Sequence, residues 1–241
     1  MATFHEVAPS HTTLAPDSSI AKDIAKAITW YSPNFSPKAV PRFYDIASLT
    51  ENPPLFKRTI DVIVDRYRAM GDKQPTHILG FDARGFLLGT PIALALGIPF
   101  VMLRKKEKSP GVLIKSTPYA KEYHEETPDT MVIRKGSINR GDRVVLVDDL
   151  IATGGTALSG FELVHAVGAT VVDFMAIIAI PFCDGIRKIR EYRDGLFANV
   201  NVFTLIDDVM IGEENCADPK NWEDGRSRTL AVEELASSRS D

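Results

Sequence analysis

Cysteine is scarce in this chain: Cys183 and Cys216 are the two among 241 residues. They lack C-x-x-C spacing and cannot build a disulfide framework, so the fold must rest on a packed core, in a reducing compartment. The five histidines, His5, His11, His77, His124 and His165, are scattered without the spacing of a zinc site. Long apolar runs are lacking too. The longest, residues 174–182, is far short of the roughly 20 residues that cross a bilayer, and no basic stretch followed by an apolar one opens the chain. No membrane association and a cytoplasmic location are therefore expected. Excess positive charge is also missing: 28 Lys and Arg face 32 Asp and Glu, for a net charge of -4. That balance argues against a nucleic-acid partner while leaving room for local clusters that hold small anions.

What is present is core material. Hydrophobic residues make up 44% of the sequence, enough for one large α/β domain with terminal extensions. The expected division is an arm and helix over 1–32, a core over 33–210, and an extension over 211–241. Within the core, an extended or looped segment is expected around 33–50, where prolines recur, and a long polar loop around 107–130.

The chain is organised around Val144-Val-Leu-Val-Asp-Asp-Leu-Ile-Ala-Thr-Gly-Gly-Thr156. Four aliphatics in a row suit a strand covered on both faces, as in a parallel sheet. Asp148 and Asp149 follow at its carboxyl end, the edge where open α/β sheets bind ligands. Ala152, Thr153, Gly154, Gly155 and Thr156 then lead into residues 157–167, whose apolar positions have helical spacing. A glycine-rich loop at a helix amino terminus presents free N–H groups and the positive end of the helix dipole to an anion. Two adjacent carboxylates would repel a second phosphate but accept hydrogen bonds from vicinal hydroxyls. The implied ligand is a 5-phosphorylated ribose. No lysine precedes Thr156, so this is not a Walker loop, and the Gly-x-Gly-x-x-Gly spacing of a dinucleotide fold is absent. The chain carries its own control, because Asp207 and Asp208 also follow an apolar strand, over 202–206, with no such cradle after them.

Other stretches carry less specific signals. Arg42, Phe43 and Tyr44 lie in a proline-stiffened segment, where the aromatics either stack on a planar base or plug the core. Arg84 sits where a strand turns into a helix, as an anion ligand or as a partner of Asp82. Arg104 and Lys105 open a basic run at another strand end, and a long polar stretch follows. Residues 1–19 read as an irregular arm, 20–31 as a helix and 53–70 as a long helix after Glu51 and Asn52. Further strands are expected over 76–80, 98–103, 131–134, 170–180 and 201–206, with helices over 86–96 and 186–192. Strand and helix alternate, which implies a mostly parallel sheet flanked by helices. Trp222, Leu230, Val232 and Leu235 suggest that the carboxyl-terminal extension packs on its own body or on a partner subunit.

The organising stretch resembles the 5-phosphoribosyl-1-pyrophosphate (PRPP) motif of type I phosphoribosyltransferases, in the version of the adenine enzymes. Gly80-Phe-Asp-Ala-Arg-Gly-Phe86 is similar to the family's pyrophosphate loop, with Ala83 where a serine is usual. Val40-Pro-Arg-Phe-Tyr-Asp-Ile46 is similar to its base-binding hood, and Tyr119-Ala-Lys-Glu-Tyr123 to its mobile catalytic loop. The resemblance implies the type I fold and transfer of phosphoribose from PRPP to adenine, giving AMP and pyrophosphate. It implies Asp148 and Asp149 at the ribose, residues 152–156 at the 5-phosphate, and Asp82, Ala83, Arg84, Arg104 and Lys105 at the pyrophosphate. Arg42, Phe43, Tyr44, Leu150 and Ile151 would form the adenine subsite. Glu122 would manage the proton of the attacking base, between Tyr119 and Tyr123, with Glu125 and Glu126 as alternatives. Mg²⁺ would arrive on PRPP near Asp148 and Asp149, with no direct protein metal site. A homodimer and a non-proline cis peptide between Asp82 and Ala83 are also implied. Transfer to a 6-oxopurine or orotate, or a non-catalytic PRPP-sensing regulator, are the competing readings.

Overall fold

The computed structural model describes residues 2–32, 42–105, 110–117, 130–217 and 231–232. Seven strands form the central sheet: β1 (Phe4–Ala8), β2 (His11–Leu14), β5 (His77–Phe81), β6 (Phe100–Leu103), β9 (Arg143–Ile151), β10 (Thr170–Ala179) and β11 (Asn201–Asp207). Their order is β1-β2-β11-β10-β9-β5-β6, and every neighbouring pair is parallel except the β1–β2 hairpin. Two short pairs stand apart from this sheet. One joins β3 (Thr29–Tyr31) to β4 (Phe43–Asp45), and the other joins β7 (Leu113–Lys115) to β8 (Val132–Arg134). The helices are α1 (Ser19–Ala27), α2 (Ala47–Thr50), α3 (Pro53–Arg68), α4 (Arg84–Leu96), α5 (Gly155–Val167) and α6 (Gly185–Glu191).

The aliphatic run at the start of β9 explains the layering. Successive strand side chains point to opposite faces, so Val145 and Val147 enter one core with α1, α3 and α4. Val144 and Leu146 enter the other, with Phe161 and Val164 of α5 and Ile189 of α6. A stretch of strand buried on both faces needs apolar residues at every position, and residues 144–147 supply them. Helix α3 follows its sequence signals closely. The Asn52 side chain accepts from the Leu55 N–H at 3.2 Å, two prolines occupy the first turn, and Leu55, Ile60, Ile63, Val64 and Tyr67 face inward.

Some elements differ from the sequence expectation, each for a non-local reason. Residues 4–14, expected as an irregular arm, form a hairpin whose second strand extends the sheet beside β11. The helix expected over 20–31 stops at Ala27, and Thr29–Tyr31 turns into a strand. β-Branched and aromatic residues favour that change. Asn215, far along the chain, caps the freed helix end by donating to the carbonyls of Ala25 and Lys26 at 3.1 and 3.0 Å. The polar stretch after Lys105 contains a strand, Leu113–Lys115, because Val132–Arg134 supplies an antiparallel partner. Trp222, Leu230 and Leu235 lie outside the described residues, and Val232 is exposed.

One buried group gives the fold a pH dependence. His11 is 6% exposed, its Nε2 lies 3.0 Å from Thr204 Oγ1, and burial, with His5 nearby, lowers its pKa from 6.5 to about 4. The unfolded chain therefore takes up a proton below pH 6.5 that the folded chain refuses until about pH 4. Stability falls as pH drops through that window. The loss reaches about 3 kcal/mol at pH 4. Denaturant titrations of wild type and His11→Gln at pH 7 and pH 4 check this: the variant should lose correspondingly less on acidification. Equal losses would remove His11 as the source.

Candidate active site

β9 runs further than its aliphatic core and carries Asp148 and Asp149 as strand residues, three and two positions before its end at Ile151. Alternation sends the two carboxylates to different surroundings. Asp149 is 5% exposed and accepts from Arg84 Nη1 at 3.1 Å. Asp148 is half-buried, and its Oδ1 accepts from the Asp149 N–H at 3.0 Å. Burial and the neighbouring Asp149 charge push the Asp148 carboxyl well above the ordinary carboxylate range.

Beyond β9 the chain turns through Ala152 and Thr153 to Gly154, which caps α5 in the left-handed region at φ 81°. That backbone favours glycine, and the space demands it as well, since a Cβ on Gly154 would lie 2.8 Å from the Gly185 carbonyl oxygen. The contact is reciprocal. A Cβ on Gly185 would lie 2.1 Å from the Ala152 carbonyl oxygen, so the cradle is seated directly on the start of α6. Sequence reading missed Gly185, and no local pattern marks it. The thirteen-residue helix α5 then aims its free amino-terminal N–H groups at the loop.

A second loop faces this one across the end of the sheet. β5 ends at Phe81, the Asp82–Ala83 peptide is cis, as the sequence resemblance implied, and α4 begins at Arg84. The alternative pairing of Arg84 with Asp82 does not occur: Arg84 reaches Asp149, and Asp82 instead lies 3.8 Å from Arg104 Nε. Together the two loops enclose a cavity of about 510 Å³. Asp82, Ala83, Arg84, Lys105, Asp148 and Asp149 line it, with the whole stretch from Leu150 to Ala157. Arg104 does not line it; its guanidinium is held beside Asp82.

The β3–β4 hairpin overhangs this region. Phe43 meets the Arg84 guanidinium, whose carbon lies 5.3 Å from the ring centroid. The side chains on either side are occupied elsewhere. Tyr44 is 4% exposed and its hydroxyl donates to Asp208 Oδ2 at 3.1 Å. Arg42 lies over the Trp30 ring at 4.4 Å, donates to the Ile211 carbonyl at 3.0 Å and pairs with Glu213. Tyr119, Glu122 and Tyr123 lie outside the described residues, as do Glu125 and Glu126. The stems of their loop meet where Ser116 and Met131 exchange hydrogen bonds of 2.8 and 3.0 Å.

Comparisons with known proteins agree with this arrangement. The family model of the phosphoribosyl transferase domain matches residues 45–213. The adenine phosphoribosyltransferase of Haemophilus ducreyi is 39% identical over 185 residues, covering 77% of this chain and 96% of that one. The crystal structure of the Leishmania donovani adenine phosphoribosyltransferase superposes with a TM-score of 0.91 at 47% identity, covering 98% of this chain and 99% of that one. The Trypanosoma brucei adenine phosphoribosyltransferase, solved with AMP, pyrophosphate and ribose-5-phosphate, gives a TM-score of 0.90 at 44% identity, with the same coverage. With a glycine loop at a helix amino terminus, an acid pair and an arginine loop on one cavity, and with these likenesses along nearly its full length, the chain belongs to the adenine phosphoribosyltransferases of the phosphoribosyl transferase family.

Proposed function

We propose that this protein transfers the 5-phosphoribosyl group of PRPP to adenine, giving AMP and pyrophosphate, a purine-salvage reaction. The observation that carries the reading is the convergence of Arg84, the Asp148–Asp149 pair and the α5 amino terminus on one cavity of about 510 Å³. Its size suits a nucleotide-sized ligand. The ligands bound to the Trypanosoma brucei protein are a sugar phosphate, the leaving group and the product that this reaction requires.

The residues divide the work by chemistry. Ala152, Thr153, Gly154, Gly155 and Thr156 hold the 5-phosphate, which is remote from the reacting carbon and serves as a handle. As the bond from C1 to pyrophosphate breaks, its electron pair leaves with pyrophosphate and the ribose gains oxocarbenium character. Asp148 and Asp149 accept hydrogen bonds from the ribose hydroxyls and set negative charge near that cation. Arg84 and Lys105, with Asp82, Ala83 and Arg104 shaping the loop around them, offset charge on the departing group. The Phe43 ring stacks on adenine, whose edge is read by backbone groups of Arg42 and Tyr44, with Leu150 and Ile151 beneath. Adenine N9 forms the new bond to C1 and loses its proton to Glu122.

Two carboxylates beside a phosphate cradle suit Mg²⁺, a hard cation that keeps water and substrate phosphate oxygens among its ligands. Asp148 and Asp149 would lie near it when it arrives on PRPP. The chemistry it supplies there is charge neutralisation on the pyrophosphate.

We further propose a homodimer, supported by the exposed Leu87 and Leu94 on the outer face of α4 and Met102 on the neighbouring edge strand β6. Light scattering that returned the mass of one chain would overturn it. Among the described residues no helix is long and apolar enough to cross a membrane. A cytoplasmic location is our reading from the scarcity of cysteine, two in 241 residues, and cell fractionation tests it.

The deciding experiment is pyrophosphate release from PRPP and Mg²⁺ with adenine, hypoxanthine, guanine and orotate offered separately. Release with adenine alone is expected. Release with another base would keep the sugar-phosphate site and overturn the hood assignment. In the same assay Glu122→Gln should lower turnover with PRPP affinity unchanged; full activity would move the proton role to another loop acid.

A further inference from the structure

The second acid pair, Asp207 and Asp208, has no phosphate cradle, and the mechanism leaves it without a task. Its height in the sheet suggests one. Asp207 is in register with Ala179 of β10, which is in register with Ile151 of β9. The pair therefore stands three residues beyond Asp148, about 10 Å further along the strands. That is the level of the hood rather than of the ribose.

The hood has little sheet to hold it. β3 and β4 are three residues each and, among the described residues, pair with one another apart from a single bridge between Trp30 and Cys216. Its attachments run to the segment that follows β11. Trp30 Nε1 donates to the Gly212 carbonyl at 3.0 Å, Arg42 Nη1 to the Ile211 carbonyl at 3.0 Å, and the Ala217 N–H to the Trp30 carbonyl at 2.8 Å. On the other side of Phe43 from Arg42, the Tyr44 hydroxyl adds a 3.1 Å hydrogen bond to Asp208.

We propose that Asp208 is a positioning residue for the base subsite: by holding the Tyr44 hydroxyl it sets the orientation of Phe43, the preceding residue of β4. The inference rests on the reading of Phe43 as the base-stacking residue. Neighbouring strand residues face opposite ways, so anchoring Tyr44 on one side fixes where the Phe43 ring stands on the other, towards Arg84. Tyr44 is suited to the role as a permanent donor. Burial and the nearby Asp208 carboxylate raise its pKa to about 12, which keeps the hydroxyl protonated across the working range. Asp207 takes no part: its Oδ1 is buried with no hydrogen-bond partner among the described residues.

The test uses the full chain and steady-state kinetics for both substrates. Tyr44→Phe removes one oxygen and keeps the ring in the core. It should raise KM for adenine about tenfold, the scale of a lost hydrogen bond to a charged group, with KM for PRPP and the melting temperature unchanged. Asp208→Ala should reproduce that effect, Asp208→Asn should restore near-normal KM by keeping an acceptor, and the double variant Tyr44→Phe/Asp208→Ala should be no worse than either single one. Equal losses for both substrates, or a matching fall in melting temperature, would mean a structural contact and overturn the proposal. Phe43→Ala separates the two layers of inference. If it raises KM for adenine while Tyr44→Phe does not, the positioning role is wrong and the base subsite stands; if Phe43→Ala leaves KM for adenine unchanged, the base-stacking reading fails with it.

Discussion

Asp149→Asn is expected to lower kcat by about 10² to 10³-fold, the usual scale for removing one preorganised electrostatic stabiliser of a transition state. The substitution keeps shape and one acceptor oxygen, exchanges the other for a donor, and deletes the charge, which is what the developing oxocarbenium needs and the ground-state sugar does not. The effect should therefore fall on kcat more than on KM for PRPP. Its cost to the fold should be small. The lost ion pair joins Asp149 to an Arg84 side chain that is 43% exposed, so water can take up the freed guanidinium. The pH profile offers a second readout. Asp149 is one of the causes that hold the Asp148 carboxyl high, so removing its charge should move the acid limb of the rate profile to lower pH. A kcat within threefold of wild type would mean that the acid pair binds the ribose without stabilising its transition state.

Gly185→Ala should weaken PRPP binding on the order of 10²-fold although residue 185 lies outside every recognised motif. The added Cβ would stand 2.1 Å from the Ala152 carbonyl oxygen, and both partners belong to backbone, so no side-chain rotation relieves the clash. The loop has to move off α6, and the N–H groups proposed to hold the 5-phosphate move with it. Overpacking at such a contact costs about 1 to 3 kcal/mol in the free protein. A folded protein can absorb a destabilisation of that size, whereas a shift of about 1 Å at a substrate-positioning site already costs on the order of 10²-fold in function, so the loss of ligand should be measurable in a variant that is still folded. Calorimetric titration with PRPP and Mg²⁺, beside a thermal melt, separates the two. Wild-type affinity in a folded variant would show that the loop does not need this seat.

These two positions differ in how they could be found. Asp149 stands in a stretch whose order of aliphatic strand, acid pair, glycine loop and helix is local, so its place at a sheet edge beside that loop was legible from residues 144–167. The same holds for Arg84 at a strand-to-helix turn and for the alternation that implied a parallel sheet. Its partner was not legible: Arg84 meets Asp149 across 65 positions rather than the adjacent Asp82. Gly185 has no signal because its requirement is set by the Ala152 carbonyl, on another loop. The hood shows both cases in consecutive residues. Phe43 was marked as a candidate stacker, while Tyr44 turned out to face Asp208 of β11's end, a partner 164 residues away.

The sequence by itself therefore determined the strands and helices of the parallel sheet from residue 76 onward, the two strand-to-helix loops and the chemistry of their side chains. Periodicity, helix caps and glycine placement act over a few residues and can be read in order. Only the tertiary structure decided which loops share a cavity, which cation faces which carboxylate, where α1 yields to a strand, and what the second acid pair holds. Those outcomes depend on register between parallel strands, and parallel neighbours are brought together by crossovers that no short stretch of sequence records.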